Sequence, residues 1–343
     1  DDYGTVRLNS KEALDQLKKN NVHPKGRFDE LDTLETTQDL EQLFSVLTSV
    51  KDKNNRHAVF TPYALPCNIN FEATREKGAY VPETLPQTWS KLQNQHPDSY
   101  RNIDQLWQQG IQEKVFIPQF HGREHLNLNL FNRSLAAGEH SVIENLKNNS
   151  LIAIPARKEL PTIGFTQSFA FWDPEETTAH RDIIRDGLQK FEHVFKLPTT
   201  AFTPPAQQLH PELYSFIETL GVKAIDKPLF TKRHLGRGKF KNEFNTLGNH
   251  RGQNHTTIVR NALLEPNNGN KDHVGLALKQ IEAAFRWNKP ANISSHRVNY
   301  CGHINPENRK QSLAQLKDLL HRIVKKWPEA EFVGVPELVE EIG

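Results

Sequence analysis

The sequence predicts an α/β fold: a distorted (β/α) barrel of about seven to eight mostly parallel strands with loop insertions at its mouth, with an open doubly wound sheet as the competitor. Three observations lead there. Short apolar runs bounded by turn residues alternate with helical patterns along most of the chain. A hydrophobic content of 36% over 343 residues suffices for one large core. The histidine-bearing motifs directly follow apolar runs, and α/β folds place their sites at the carboxyl ends of strands.

The elements follow in order. Asp1-Asp2-Tyr3-Gly4 reads as the tail of a strand whose body would lie upstream. The chain has no start Met, so we expect a natural N-terminus, with or without a signal peptide, ahead of Asp1. Ser10 is an N-cap for a helix over 11–19, and a second helix covers 37–50. Strands are predicted at 57–61, 115–120, 199–203, 222–226, 258–264, 291–295 and 330–335. Helices are predicted at 103–109, from near Leu126, and at 177–195, 211–221, 273–287 and 306–327. Pro211 and Pro306 occupy first-turn positions, and Gly221 follows a helix end. Two stretches break the alternation: 71–101, rich in Pro, Gln and Trp, and 151–173, which contains Pro155 and Pro161. We expect one domain over 1–343 with insertions near 71–101 and 151–173 over the barrel mouth.

Composition narrows the function classes. The net charge of +2, from 43 basic and 41 acidic residues, provides no field to gather nucleic acid or an anionic membrane. No apolar run approaches the length of a spanning helix. The expected partner is a small molecule or an oligosaccharide, and the favoured compartment is the cytoplasm unless a signal peptide precedes Asp1. Cys67 and Cys301 are the only cysteines, too few and too far apart for a disulfide framework or a thiolate zinc site.

The most informative stretch is Pro118-Gln119-Phe120-His121-Gly122-Arg123-Glu124-His125. Two imidazoles four residues apart, just past an apolar run, can close on one metal ion. The plainer alternative is a helix-capping His beside a surface one. Asp1 and Asp2 are adjacent carboxylates that can divide the work beside a metal, one coordinating and the other acting as base on water. Taken alone, such a dipeptide is more often a solvated turn. His296 follows the apolar run 291–295 and can donate a proton to a leaving group, or it can simply satisfy a backbone carbonyl. The same loop also spells His-x-x-Glu-His, the inverted zinc-peptidase motif, with Glu124 as base and Glu192 as the downstream ligand. That motif needs a continuous helix, against which Gly122 argues. Trp89 and Trp172 fall in the mouth insertions and can stack on sugars or pack in the core. The basic stretch 231–241 lacks a P-loop ending and reads as a solvated loop, with an acidic sugar or phosphate group as its other reading.

The order of these motifs, an Asp-Asp-aromatic-Gly tail, a His-x-x-x-His, and a late Ser-x-His-like element, resembles the polysaccharide deacetylase superfamily. That superfamily includes nodulation-factor deacetylase-like and carbohydrate esterase family four-like enzymes. The resemblance spans nearly the whole chain and implies metal-dependent removal of N-acetyl groups from an amino sugar. It implies Asp2, His121 and His125 as metal ligands, Asp1 as general base and His296 as general acid. Zinc best suits such a ligand set, and cobalt or nickel would also fit. The chain departs from the family pattern at Gly122, where Ser or Thr is usual, and at Leu126, where Pro is usual. The third motif's base-orienting arginine is also missing from 201–206, leaving Arg123 or Arg297 to replace it. A barrel that binds carbohydrate without cleaving it is the alternative that this loss raises.

Overall fold

The computed structural model describes residues 1–248 and 255–342. Its centre is a five-stranded parallel sheet of β1 (Tyr63–Ala64), β2 (Gln119–Phe120), β3 (Ala201–Phe202), β4 (Ala224–Pro228) and β5 (Thr256–Arg260), neighbouring one another in that order. The chain runs from β5 straight into β6 (Ala262–Leu263), which pairs in parallel with β7 (Ile293–Ser294). Tyr3 makes a parallel bridge to Ala64 at the free edge of β1. The fold is thus mixed α/β around a mainly parallel sheet and compatible with a barrel-like arrangement. No closed barrel forms among the described residues.

Helices cover the sheet: α1 (Lys11–Lys19), α2 (Thr37–Leu47), α3 (Leu128–Ala136), α4 (Thr177–Phe195), α5 (His273–Arg286), α6 (Pro306–Lys326) and α7 (Val335–Ile342). Their ends follow local chemistry. Ser10 accepts from Ala13 N to start α1, Thr36 and Asp39 form a reciprocal capping box on α2, and Pro306 opens α6. The main core gathers Tyr3, Trp107, Phe116, Phe120, Phe195 and Phe202, all buried, where α2, α4 and α6 meet the sheet. No helix among the described residues is long and apolar enough to cross a membrane.

Several expected elements differ. The 57–61 and 115–118 segments make single bridges rather than ladders. The 330–335 run ends in α7 and forms no strand, because Gly334 and Pro336 favour a helix start there. The 71–101 stretch folds as helices Phe71–Lys77, Leu85–Gln95 and Pro97–Tyr100 behind a small antiparallel pair, Cys67–Ile69 with Pro82–Thr84. Trp89 is 5% exposed and packs on Trp107, so it is a core residue and not a sugar platform. The basic 231–241 stretch is a β-hairpin, Phe230–His234 with Phe240–Phe244, rather than an open loop. Arg233 pairs with Glu243 and Arg237 with Asp173, which ties the hairpin to the half-buried Trp172 segment.

Candidate metal centre

The residues after β2 form a bent loop, not a helix, and α3 begins only at Leu128 under an Asn127 cap. Three anchors shape this loop. His121 N donates to Ala64 O, Cys67 N donates to Arg123 O, and the Ser168 hydroxyl donates to Glu124 O. Gly122 supplies the left-handed turn with φ +113° against Phe169, a conformation that a side chain would strain. The inverted zinc-peptidase reading fails here, because its helix is absent. The Glu124 carboxylate is buried and held by Arg123 and by the Tyr80 hydroxyl at 2.9 Å. Glu192 is exposed on α4.

The loop brings His121 and His125 against Asp2. Their Nε2 atoms lie 3.3 and 3.1 Å from Asp2 Oδ1. Asp2 and His121 are buried, and the His125 side chain is 10% exposed. This Asp-His-His group could hold a metal ion. The hydrogen bonding fits such an ion. His121 Nδ1 donates to Thr203 O at 2.6 Å, so a neutral ring presents the Nε2 lone pair to the carboxylate. Two acceptors facing each other in a buried space repel unless a cation lies between them. Burial depresses the basicity of both imidazoles, which favours the neutral, ligating form. Burial opposes ionisation of Asp2, but the two imidazoles beside it outweigh burial and hold the carboxyl well below its usual range.

Asp1 faces the other way. The Arg260 guanidinium forks onto it, with Nη1 at 2.5 Å from Oδ2 and Nη2 at 2.8 Å from Oδ1. Arg260 Nε also reaches Asp226 at 2.5 Å, and Asp226 accepts from Thr203 Oγ1 at 2.9 Å. Two bonds from a planar fork fix a carboxylate in position and orientation. Neither arginine expected from the sequence does this. Arg123 is taken by Glu124 and Asp186, and Arg297 is buried between Asp32, Glu35 and Thr5 O. Arg260 ends β5 and reaches Asp1 across the sheet, a pairing that no local sequence pattern encodes.

His296 sits at the same cleft, with Nε2 3.7 Å from Asp1 Oδ2. Its Nδ1 bonds to Glu265 Oε1 at 2.6 Å, and Phe28 packs edge-on against the ring. Burial opposes ionisation of Glu265, but the bond to His296 and the nearby Arg27 hold its carboxyl down to about 2. Asn299 and Arg27 complete the hydrogen bonding of Glu265. Arg260 and Glu265 are the site residues that sequence reasoning missed.

No family model and no curated protein matches this chain in sequence. Among solved structures, it is similar at a TM-score of 0.47 and 9% identity to a Mycobacterium smegmatis protein provisionally named a polysaccharide deacetylase, over 99% of this chain and 89% of that one. It is also similar, at 0.47 and 11% identity, to a GH57 branching enzyme from the hyperthermophilic archaeon Thermococcus kodakaraensis in complex with glucose, over 90% of this chain and 66% of that one. Likeness at this level carries no inference about chemistry, which rests on the side chains above.

Proposed function

We propose that this chain is a metal-dependent hydrolase that removes an N-acetyl group from an amino-sugar substrate. The observation carrying this reading is that two adjacent aspartates serve two centres, Asp2 facing the His121–His125 pair and Asp1 held by Arg260 within reach of His296. Asp2, His121 and His125 would hold the ion, and zinc suits one carboxylate and two imidazoles, with cobalt or nickel as substitutes. Bound there, the ion supplies Lewis acidity toward a carbonyl oxygen and an attacking water.

The chain's own groups do the proton work. Asp1 takes a proton from water, and Arg260 keeps the carboxylate aimed while leaving it ionised. His296 gives a proton to the departing amine through Nε2, and Glu265 on Nδ1 fixes the ring. Water adds to the amide carbon, the C–N bond breaks, and acetate and a free amine leave.

The test is acetate release from N-acetylated oligosaccharides with added zinc or cobalt, together with metal analysis. We expect release that is abolished by chelation and by His121→Ala, which should also lose the ion. Binding of the same sugars without release would favour a non-catalytic barrel and overturn the enzymatic reading.

A further inference from the structure

The hairpin of Phe230–His234 with Phe240–Phe244 takes no part in the site above, and its outer face differs from the rest of the surface. Of the eight large apolar side chains exposed among the described residues, five belong to this hairpin and its entry: Leu229, Phe230, Leu235, Phe240 and Phe244. Exposed apolar groups scattered singly are ordinary, but a cluster marks a contact surface. The strand register produces the cluster. Phe230 pairs with Phe244, Lys232 with Asn242 and His234 with Phe240, so alternation puts these six on one face. Of the six, only His234 is buried, where the hairpin meets Phe171. The opposite face, with Thr231, Arg233 and Glu243, shares a crevice with Tyr214 and Pro204 of the body. The hairpin is also fixed at its turn. Arg237 N donates to Trp172 O at 2.8 Å, and a Cβ on Gly236 would lie 2.9 Å from that same oxygen. The outer face is therefore preformed and loses little freedom on contact.

The same stretch is basic within a nearly neutral chain. Residues 229–244 contain five basic residues and one acidic one, whereas the whole chain carries +2, so the overall balance conceals a local positive field. Glu243 is taken by Arg233, and Arg237 pairs with Asp173. Lys232, Lys239 and Lys241 are exposed and make no ion pair among the described residues. A second copy of this chain would bring the same positive charge to the contact, which disfavours self-association through this face. Sugar rings and nucleobases stack on flat aromatic faces. Here the Phe230 and Phe244 rings meet at 60° and Phe240 stands at 89° to His234, so the rings form no flat platform. Leu229 and Leu235 have no ring to stack.

We infer that this hairpin face docks the protein onto a membrane surface rich in anionic phospholipid. Phe230 and its apolar neighbours enter the boundary between headgroups and acyl chains, and Lys232, Lys239 and Lys241 meet the phosphates. Acyl chains accept phenyl rings and leucines in any orientation, and anionic headgroups supply the missing countercharge, so one partner satisfies both halves of the patch. The protein would lie on the bilayer and not cross it. The inference does not rest on the deacetylase reading, since no hairpin residue belongs to the Asp2–His121–His125 group.

The test is co-sedimentation with vesicles of phosphatidylcholine and phosphatidylglycerol, against vesicles of phosphatidylcholine alone. We expect binding to the anionic vesicles only, weakening as salt is added. Changing Lys232→Gln and Lys239→Gln together should weaken it roughly 30-fold, about fivefold for each lysine at an anionic surface. Phe230→Asn should weaken it about tenfold or more, the loss expected when one phenyl ring no longer leaves water. Phe230 is 70% exposed and both lysines are exposed, so these changes leave the fold intact. Equal binding to both kinds of vesicle, or binding to neither, would overturn the inference. A Phe230→Asn variant that binds as tightly as the parent would also overturn it and mark the patch as a site for soluble polyanions. So would retention of a soluble acidic polysaccharide or of single-stranded DNA without vesicle binding. None of these readouts involves a metal or turnover, so their outcome is separate from that of the acetate assay.

Discussion

At the scale of single residues, the site depends on which cation each carboxylate meets. Arg260 holds Asp1 through two bonds. Arg260→Ala is expected to lower kcat/KM by about 10²-fold or more, typical of losing an electrostatic positioning group, with metal content unchanged by elemental analysis. Loss of the ion in that variant would mean that Arg260 supports Asp2 instead. Arg297 has a different role. It is fully buried between Asp32 and Glu35, so Arg297→Met leaves Glu35 without its cation and Asp32 with only Arg7 at 4.0 Å. That change should cost about 3–5 kcal/mol in urea unfolding. The His121–His125 spacing was legible in the sequence because both lie in one loop. Arg260 and Glu265 were not, because each meets its partner only once distant strands lie side by side.

At the scale of elements, the His-bearing loop depends on how closely α4 approaches it. A Cβ at Gly187 would lie 2.9 Å from Phe120 Cζ and 3.1 Å from the Arg123 Cα, a backbone atom that cannot swing aside. Gly187→Ala should gain helix propensity, about 1 kcal/mol, but lose more to overpacking. The expected result is a lower thermal midpoint together with weaker zinc affinity by titration calorimetry. An unchanged affinity would show that the loop adjusts independently of α4. Long helices were readable from periodicity: α1 falls where its pattern and the Ser10 cap place it, and α4 where its pattern does. The strands were harder, because most contain only two to five residues and their pairing is set by neighbours rather than by alternation. The basic 231–241 stretch was read as a loop because its hairpin turn carries an Arg and two glycines that mimic loop composition.

For the whole molecule, acid stability follows from groups whose charge changes on folding. His180 is buried against Phe169, and burial lowers its basicity to about 4. The unfolded chain takes up that proton below about 6.5 and the folded chain only below about 4, so stability falls as pH drops through this window. The loss is on the order of 3 kcal/mol. Glu265 adds a second loss at lower pH. Its carboxyl is held down to about 2, so its contribution is full above about 4.5 and fades as pH falls toward 2. Urea midpoints measured from pH 7 to 3 should therefore decline in two stages. His180→Leu should flatten the upper stage and Glu265→Gln the lower one, and persistence of both stages in either variant would refute the assignment. The α/β class was legible because helical and apolar runs alternate along the chain. The state of the sheet was not, since it depends on pairing between distant strands of only two to five residues.

Asp2 has φ +74°, a left-handed conformation that Asp tolerates better than most residues. This reversal of the backbone points neighbouring carboxylates at different partners, one at two imidazoles and one at a guanidinium. Removing charge from one should leave the other in place. Asp1→Asn is then expected to keep its ion and its grip on substrate while failing to turn it over. Such an inert variant would serve as a capture reagent: immobilised with zinc, it would retain from a mixture of glycans the one that the active protein consumes.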